Sequence, residues 1–261
     1  MKSNKPSTFK SYSKLSKLRV IELLLVTTVP SMVISIYGMP PLSLVIYTLA
    51  GGTLLAISAN VMNQVLEVET DKLMERTSDR PIVTGELTKT NGIIYSVSSG
   101  LIGFLILYSL VTPLSSFIGL AANIFYVFIY TLILKPRTNQ NIVIGGASGA
   151  APVLIGWTAT GSELETGPWV LFLLVFMWTP AHFWALSIEN KADYKNAEFP
   201  MLPIQESYKR TCIFIGIYSC STDLISLVAA PILQLGIIYL FVSIFFGVNL
   251  RYKAFNLYRK K

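Results

Sequence analysis

The stretch Leu42-Ser-Leu-Val-Ile-Tyr-Thr-Leu-Ala-Gly-Gly-Thr-Leu-Leu-Ala-Ile-Ser-Ala-Asn60-Val-Met-Asn63-Gln-Val-Leu-Glu67-Val-Glu69-Thr-Asp71 passes from an unbroken apolar run into a cluster of acids. Residues 42–65 carry no charge, and as a helix rising 1.5 Å per residue they reach about 36 Å, enough to cross ~30 Å of hydrocarbon. Working outward with a window of about 19 residues, we find seven more segments of this kind, at 18–38, 91–111, 114–134, 141–160, 168–188, 211–231 and 235–250. The expected fold is therefore all-α, a polytopic transmembrane bundle of eight helices. Composition agrees: 52% of the 261 residues are apolar and 13% charged, about half the charge of a soluble domain, with a mean hydropathy of +0.57. Disorder, collagen and small disulfide scaffolds are excluded. Cys212 and Cys220 lie eight apart in one apolar run, about 12 Å along a helix, too far to pair. No Cys/His spacing suits zinc or an iron–sulfur cluster.

The 21 Lys and Arg are distributed as a membrane topology requires. Six precede or open the first segment, four lie in loop 66–90, two in loop 135–140, four in loop 189–210 and five at the C-terminus. All fall on one side, which the positive-inside rule makes cytoplasmic, with the N-terminus there too. The net charge of +7 then reflects topology and contact with anionic membrane lipid, and no nucleic-acid partner is expected. The domain division expected is a basic tail at 1–17, a transmembrane domain at 18–250 and a basic C-terminal tail at 251–261. Residues 2–19 resemble the n-region of a signal peptide, but the apolar run that follows is too long and lacks a small-residue cleavage site, so it is read as a retained helix. Arg is scarce there, which favours a bacterial inner membrane over the mitochondrial inner membrane.

Ten of the 14 acids lie in the two long loops of the cation-rich side. Topology accounts for cations there but not for acids. Asn63, Glu67 and Asp71 are spaced i, i+4, i+8 and form one polar stripe on a helix. A helix end leaving the bilayer is charged in any case, with Glu67 and Asp71 able to pair with Lys72 or Arg76, and spacing alone leaves both readings open. Glu189 and Asp193 repeat the pattern at the matching end of the sixth segment. Two acidic stripes facing each other repel unless a cation lies between them, and Mg²⁺ with a diphosphate satisfies such a site. Arg76, Arg80, Lys135, Arg137 and Lys191 are candidate phosphate contacts. His182, the single histidine, precedes Glu189 by about two turns in Trp178-Thr-Pro180-Ala-His182-Phe183-Trp184, and is expected on an interior face within the membrane. Glu22 and Asp223 also fall inside segments, where hydrogen bonding between helices or protonation is expected.

Several stretches together carry a family resemblance. Asn63-x3-Glu67-x3-Asp71 followed by Met74-Glu75-Arg76-Thr77-x2-Arg80-Pro81 resembles the first aspartate-rich motif of the UbiA-type intramembrane aromatic prenyltransferases, and among them the haem-farnesylating branch. Tyr130-Thr131-x3-Lys135-x-Arg137-Thr138-x2-Asn141 through Gly145-Gly146, then Gly149-Ala-Ala-Pro152, and Trp178 through Asp193-Tyr194 to Pro200-Met201-Leu202-Pro203 point the same way. The likeness covers residues 20–250. It implies a helical bundle around a central cavity that binds farnesyl diphosphate with Mg²⁺ and transfers the farnesyl group to a vinyl of haem B, giving haem O for terminal oxidases. Carried over position by position, Asn63, Glu67 and Asp71 take the metal–diphosphate role, with Asp193 and Glu189 as the facing acids. Arg76, Arg80, Lys135, Arg137 and Lys191 hold phosphate, and Tyr130 and Tyr194 join them in binding substrate. Tyr126, Tyr130, Phe183 and Trp184 line the chamber for the allylic cation, and His182 contacts haem as axial ligand or propionate partner. A haem A synthase or oxidase assembly protein is the implied partner.

Three departures from the family pattern stand out. Glu67 occupies a position where Asp is more usual, Pro136 separates Lys135 from Arg137, and eight segments stand where the family usually has nine. The basic tail resembles the approach to a ninth crossing, as expected of a truncated or shorter form. Two other readings share parts of this pattern. A related prenyltransferase would act on another aromatic acceptor such as a quinone precursor, and a cation transporter would place its acids near mid-bilayer on broken helices.

Overall fold

The computed structural model describes residues 8–260, with backbone alone at 19–25. Arg19, Glu22 and residues 1–7 of the N-terminal tail expected at 1–17 thus lie outside the described side chains. The order is α1 (Thr8–Ser16), α2 (Leu18–Ser35), α3 (Leu42–Leu66), α4 (Val68–Asp71), α5 (Lys89–Leu110) and α6 (Pro113–Ile124). A π-helical stretch, Phe125–Leu134, continues α6; then follow α7 (Asn141–Ala159), α8 (Thr166–Glu189), α9 (Lys191–Asn196), α10 (Leu202–Gln205), α11 (Tyr208–Ile232) and α12 (Ile237–Arg259). No strand is present among the described residues.

Seven helices among the described residues are long and apolar enough to cross a bilayer, matching seven of the eight expected segments. The remaining segment falls on α2, whose described apolar part is Val26–Ser35. Helix starts precede the apolar edges where a hydroxyl caps them. Thr88 accepts from Asn91 N, Thr112 from Ser115 N ahead of Pro113, and Ser207 from Arg210 N. The last helix runs beyond 250, because Arg251, Lys253 and Arg259 end the apolar run without breaking helical backbone.

Helix α7 is the hub, packed on α2, α6 and α8, and 67% of its apolar window is buried against 17–33% in the other six. The outer helices show large exposed apolar side chains such as Phe241, Phe245 and Ile238, as lipid-facing helices must. From α8 the chain continues to α11 and α12, which pack in sequence, while α3 pairs with α5. Asp223 joins α11 to α12: its carboxylate lies on Gly247, where a Cβ would collide with it, and it pairs with Arg251 at 3.1 Å. The expected helix-to-helix role of Asp223 is met by an ion pair. Cys212 is buried, Cys220 exposed, and both are free.

Candidate active site

The acidic stripe survives a break in its helix. Helix α3 stops at Leu66, yet Glu67 N still donates to Asn63 O and Asp71 N to Glu67 O, at 2.9 and 2.8 Å, so the three side chains keep near-helical spacing. All three are buried. The sequence offered Lys72 and Arg76 as partners, but the structure supplies others. Both Glu67 carboxylate oxygens accept from Lys135 Nζ at 2.6 Å, and Asp71 Oδ2 accepts from Arg80. Asp71 Oδ1 is buried with no hydrogen-bond partner. Burial pushes the Asp71 carboxyl up, with Arg80 opposing.

Lys135 reaches Glu67 because of the π-helical stretch. With hydrogen bonds five residues back, as in Lys135 N to Tyr130 O at 2.9 Å, each turn takes more residues, and Tyr126, Tyr130–Thr131 and Lys135 share one face. Thr131 Oγ1 accepts from Asn63 Nδ2 at 3.1 Å, which leaves the amide oxygen of Asn63 for a ligand. Thr131 was not singled out from sequence, since nothing local marks a π turn.

The second loop closes over this end. Its Tyr194, Phe199 and Met201 pack with Met74, Tyr130 and Ile142, and Tyr126 and Phe183 join the edge of that cluster. Asp193 reaches the first loop through backbone, its two oxygens accepting from Glu75 N and Arg76 N at 3.0 and 3.2 Å. The two acidic regions thus meet, with Asp193 holding the turn at Glu75–Thr77 where unpaired amides collect. Arg76 lies 5.8 Å over the Tyr194 ring. Burial pushes the Tyr194 hydroxyl up, with Arg76 opposing, so it stays a neutral donor. Beside the cluster an apolar cavity of about 210 Å³ descends between α2, α3, α6 and α7, lined by Tyr126, Asn60, Ala56, Gly52 and Thr48 along one wall. Asn60 to Thr48 covers about 18 Å of helix.

A buried carboxylate–cation cluster thus stands beside an apolar cavity. The UbiA prenyltransferase family model matches residues 24–261. This chain belongs to that family. As a UbiA-family member it is 42% identical to the protoheme IX farnesyltransferase of Paenarthrobacter aurescens (strain TC1), over 97% of this chain and 79% of that one. It is also 42% identical to the protein of that name from Synechocystis sp. (strain ATCC 27184 / PCC 6803 / Kazusa), over 95% and 79%. A solved digeranylgeranylglyceryl phosphate synthase shares its fold at a TM-score of 0.78 and 17% identity, covering 97% of this chain and 88% of that one. A UbiA homologue from Archaeoglobus fulgidus bound to GPP and Mg²⁺ does so at 0.74 and 16%, covering 94% and 86%.

Other expected residues of this UbiA-family chain lie elsewhere. His182 is exposed rather than interior, its ring stacked 4.4 Å from that of Trp178, one turn earlier on α8. Trp184 is buried between α8 and α11, edge-on to Phe214 and Tyr218, and so packs helices instead of lining the chamber. Arg137 bends back to cap the carbonyls of Leu132 and Ile133. Glu189 and Lys191 are exposed, and among the described residues no three acidic, His or Cys side chains converge on one point.

Gly145 sets the position of Tyr130, because a Cβ there would land on the tyrosine ring. Gly145→Ala is expected to displace that ring and lower turnover about ten- to a hundredfold at unchanged membrane content, as measured by product formation per immunodetected protein.

Proposed function

We propose that this chain transfers the farnesyl group of farnesyl diphosphate to a vinyl group of haem B (protohaem IX), giving haem O and diphosphate. The 42% identity to proteins named protoheme IX farnesyltransferase, over nearly the whole chain, supports this acceptor. The observation that carries prenyl transfer is the buried pairing of Glu67 with Lys135 and of Asp71 with Arg80 beside an apolar cavity.

The chemistry breaks the allylic C1–O bond, and the electron pair leaves with diphosphate. The vinyl of haem attacks C1, and water then completes the hydroxyethylfarnesyl side chain. Lys135 and Arg80 stabilise the negative charge that grows on the leaving group. Tyr126, Tyr130 and Phe183 keep water from the allylic cation and present π faces to it. Cavity walls from Asn60 to Thr48 hold the isoprenoid tail straight. The donors Asn63, Glu67 and Asp71 are hard oxygens, and the partnerless Asp71 Oδ1 fits a Mg²⁺ ligand, as does the GPP- and Mg²⁺-bound homologue. Such an ion, when bound, supplies positive charge to the diphosphate. We place these loops on the cytoplasmic side of a bacterial inner membrane, where the Lys and Arg gather.

Membranes containing the chain, given farnesyl diphosphate and haem B, are expected to yield haem O on chromatography. Prenylation of a benzoate or naphthoate acceptor alone would refute the haem assignment.

A further inference from the structure

We infer that Lys17 is a third cation of the diphosphate cradle, carried there by α1 and left without a carboxylate of its own so that it can take a diphosphate oxygen. This rests on the prenyl-transfer reading and assigns one more residue to that site. Read from sequence, residues 1–17 formed a basic tail; in the structure α1 is a docked strap. Leu15 is fully buried against Val61, Val65 and Ile82. Its carbonyl accepts from Gln64 Nε2 at 2.6 Å, next in sequence to Asn63. Lys14 Nζ donates to Asp79 O and Oδ2 at 2.6 and 2.7 Å, next to Arg80. Ser11 and Ser16 bond to Glu86 and Tyr95. The strap is thus tied to the chain on both flanks of the acidic stripe.

Lys17 ends the strap in left-handed backbone, φ 51° and ψ 50°, a conformation that a non-glycine residue keeps only when its surroundings impose it. Its half-buried side chain lies in the field of Arg80, Lys135, Asp71 and Glu67 together. Arg80 is engaged by Asp71, Lys135 by Glu67 and Lys14 by Asp79, while Lys17 forms no ion pair among the described residues. Burial, then Arg80 and Lys135, push its ammonium down to about 7, which the two carboxylates do not undo. Glu67 and Asp71 are each held by one cation, and Lys17 beside them is held by neither. An ammonium on a flexible stem suits a phosphate oxygen as a point charge.

The test uses the purified full chain in nanodiscs with inorganic diphosphate and Mg²⁺, read by calorimetry. Lys17→Ala is expected to weaken diphosphate binding about tenfold, equal to about 1.4 kcal/mol. Lys17→Arg should stay within about threefold of wild type, since the charge remains. Lys17→Gln, which keeps the stem packed, should match Lys17→Ala, and the thermal midpoint without ligand should not fall in either. In turnover assays the KM for farnesyl diphosphate should rise more than kcat falls. Wild-type affinity in Lys17→Ala or Lys17→Gln, or a loss in Lys17→Arg equal to theirs, overturns the assignment of Lys17 alone. A wild-type chain that binds no diphosphate overturns the prenyl-transfer reading itself, and the assignment with it.

Discussion

Asp71→Asn is expected to lower turnover about a hundred- to a thousandfold while leaving the amount of protein in the membrane unchanged. The substitution keeps the shape of a fully buried side chain and removes its charge. One oxygen of Asp71 accepts from Arg80 and the other has no partner, so the carboxylate holds half its capacity open where a diphosphate and its cation would sit. An amide can still accept one hydrogen bond from Arg80, which preserves the local turn. It cannot draw positive charge to the empty position. Steady-state haem O formation by purified wild type and variant checks the rate, and quantitative blotting checks the level. Turnover at the wild-type rate would remove Asp71 from the site and leave Glu67–Lys135 as a purely structural pair.

What the sequence disclosed divides by physical range. The spans follow from uninterrupted apolar runs, a local property, and the structure reproduces seven of the eight among the described residues, with shifts at hydroxyl caps such as Thr88 and Ser207. The stripe Asn63–Glu67–Asp71 was legible because helical hydrogen bonding persists across the break at Glu67. The partners of those acids were not, since Lys135 is brought round by a π-helical stretch with no sequence signature and Arg80 by a folded loop. Periodicity alone cannot tell which face of α8 turns inward, so His182 was expected inside and lies outside. The strap α1 was hidden for a further reason. Its Lys and Ser residues resemble a solvated tail until Gln64, Asp79 and Glu86 supply tertiary partners.

Lys135→Met is expected to have the second large effect, and on stability as well as rate. Lys135 is buried, gives Glu67 two hydrogen bonds and lies 4.5 Å over the Phe199 ring. Methionine fills similar space but leaves the Glu67 carboxylate buried and unpaired, which costs about 3–5 kcal/mol. The variant should unfold at lower temperature in detergent and make no haem O. Pairing it with Glu67→Gln removes the stranded charge, so the double variant should regain most of the lost thermal stability, because apolar or neutral replacements of a buried ion pair are close to neutral. It should stay inactive, since neither the negative donor nor the positive phosphate contact remains. Equal instability in the single and double variants would show that Lys135 stabilises the fold through Phe199 and the π-helical stretch instead of through Glu67. Recovery of stability without recovery of turnover separates the pair's structural part from its chemical one, because the only thing then missing is charge at the head of the cavity.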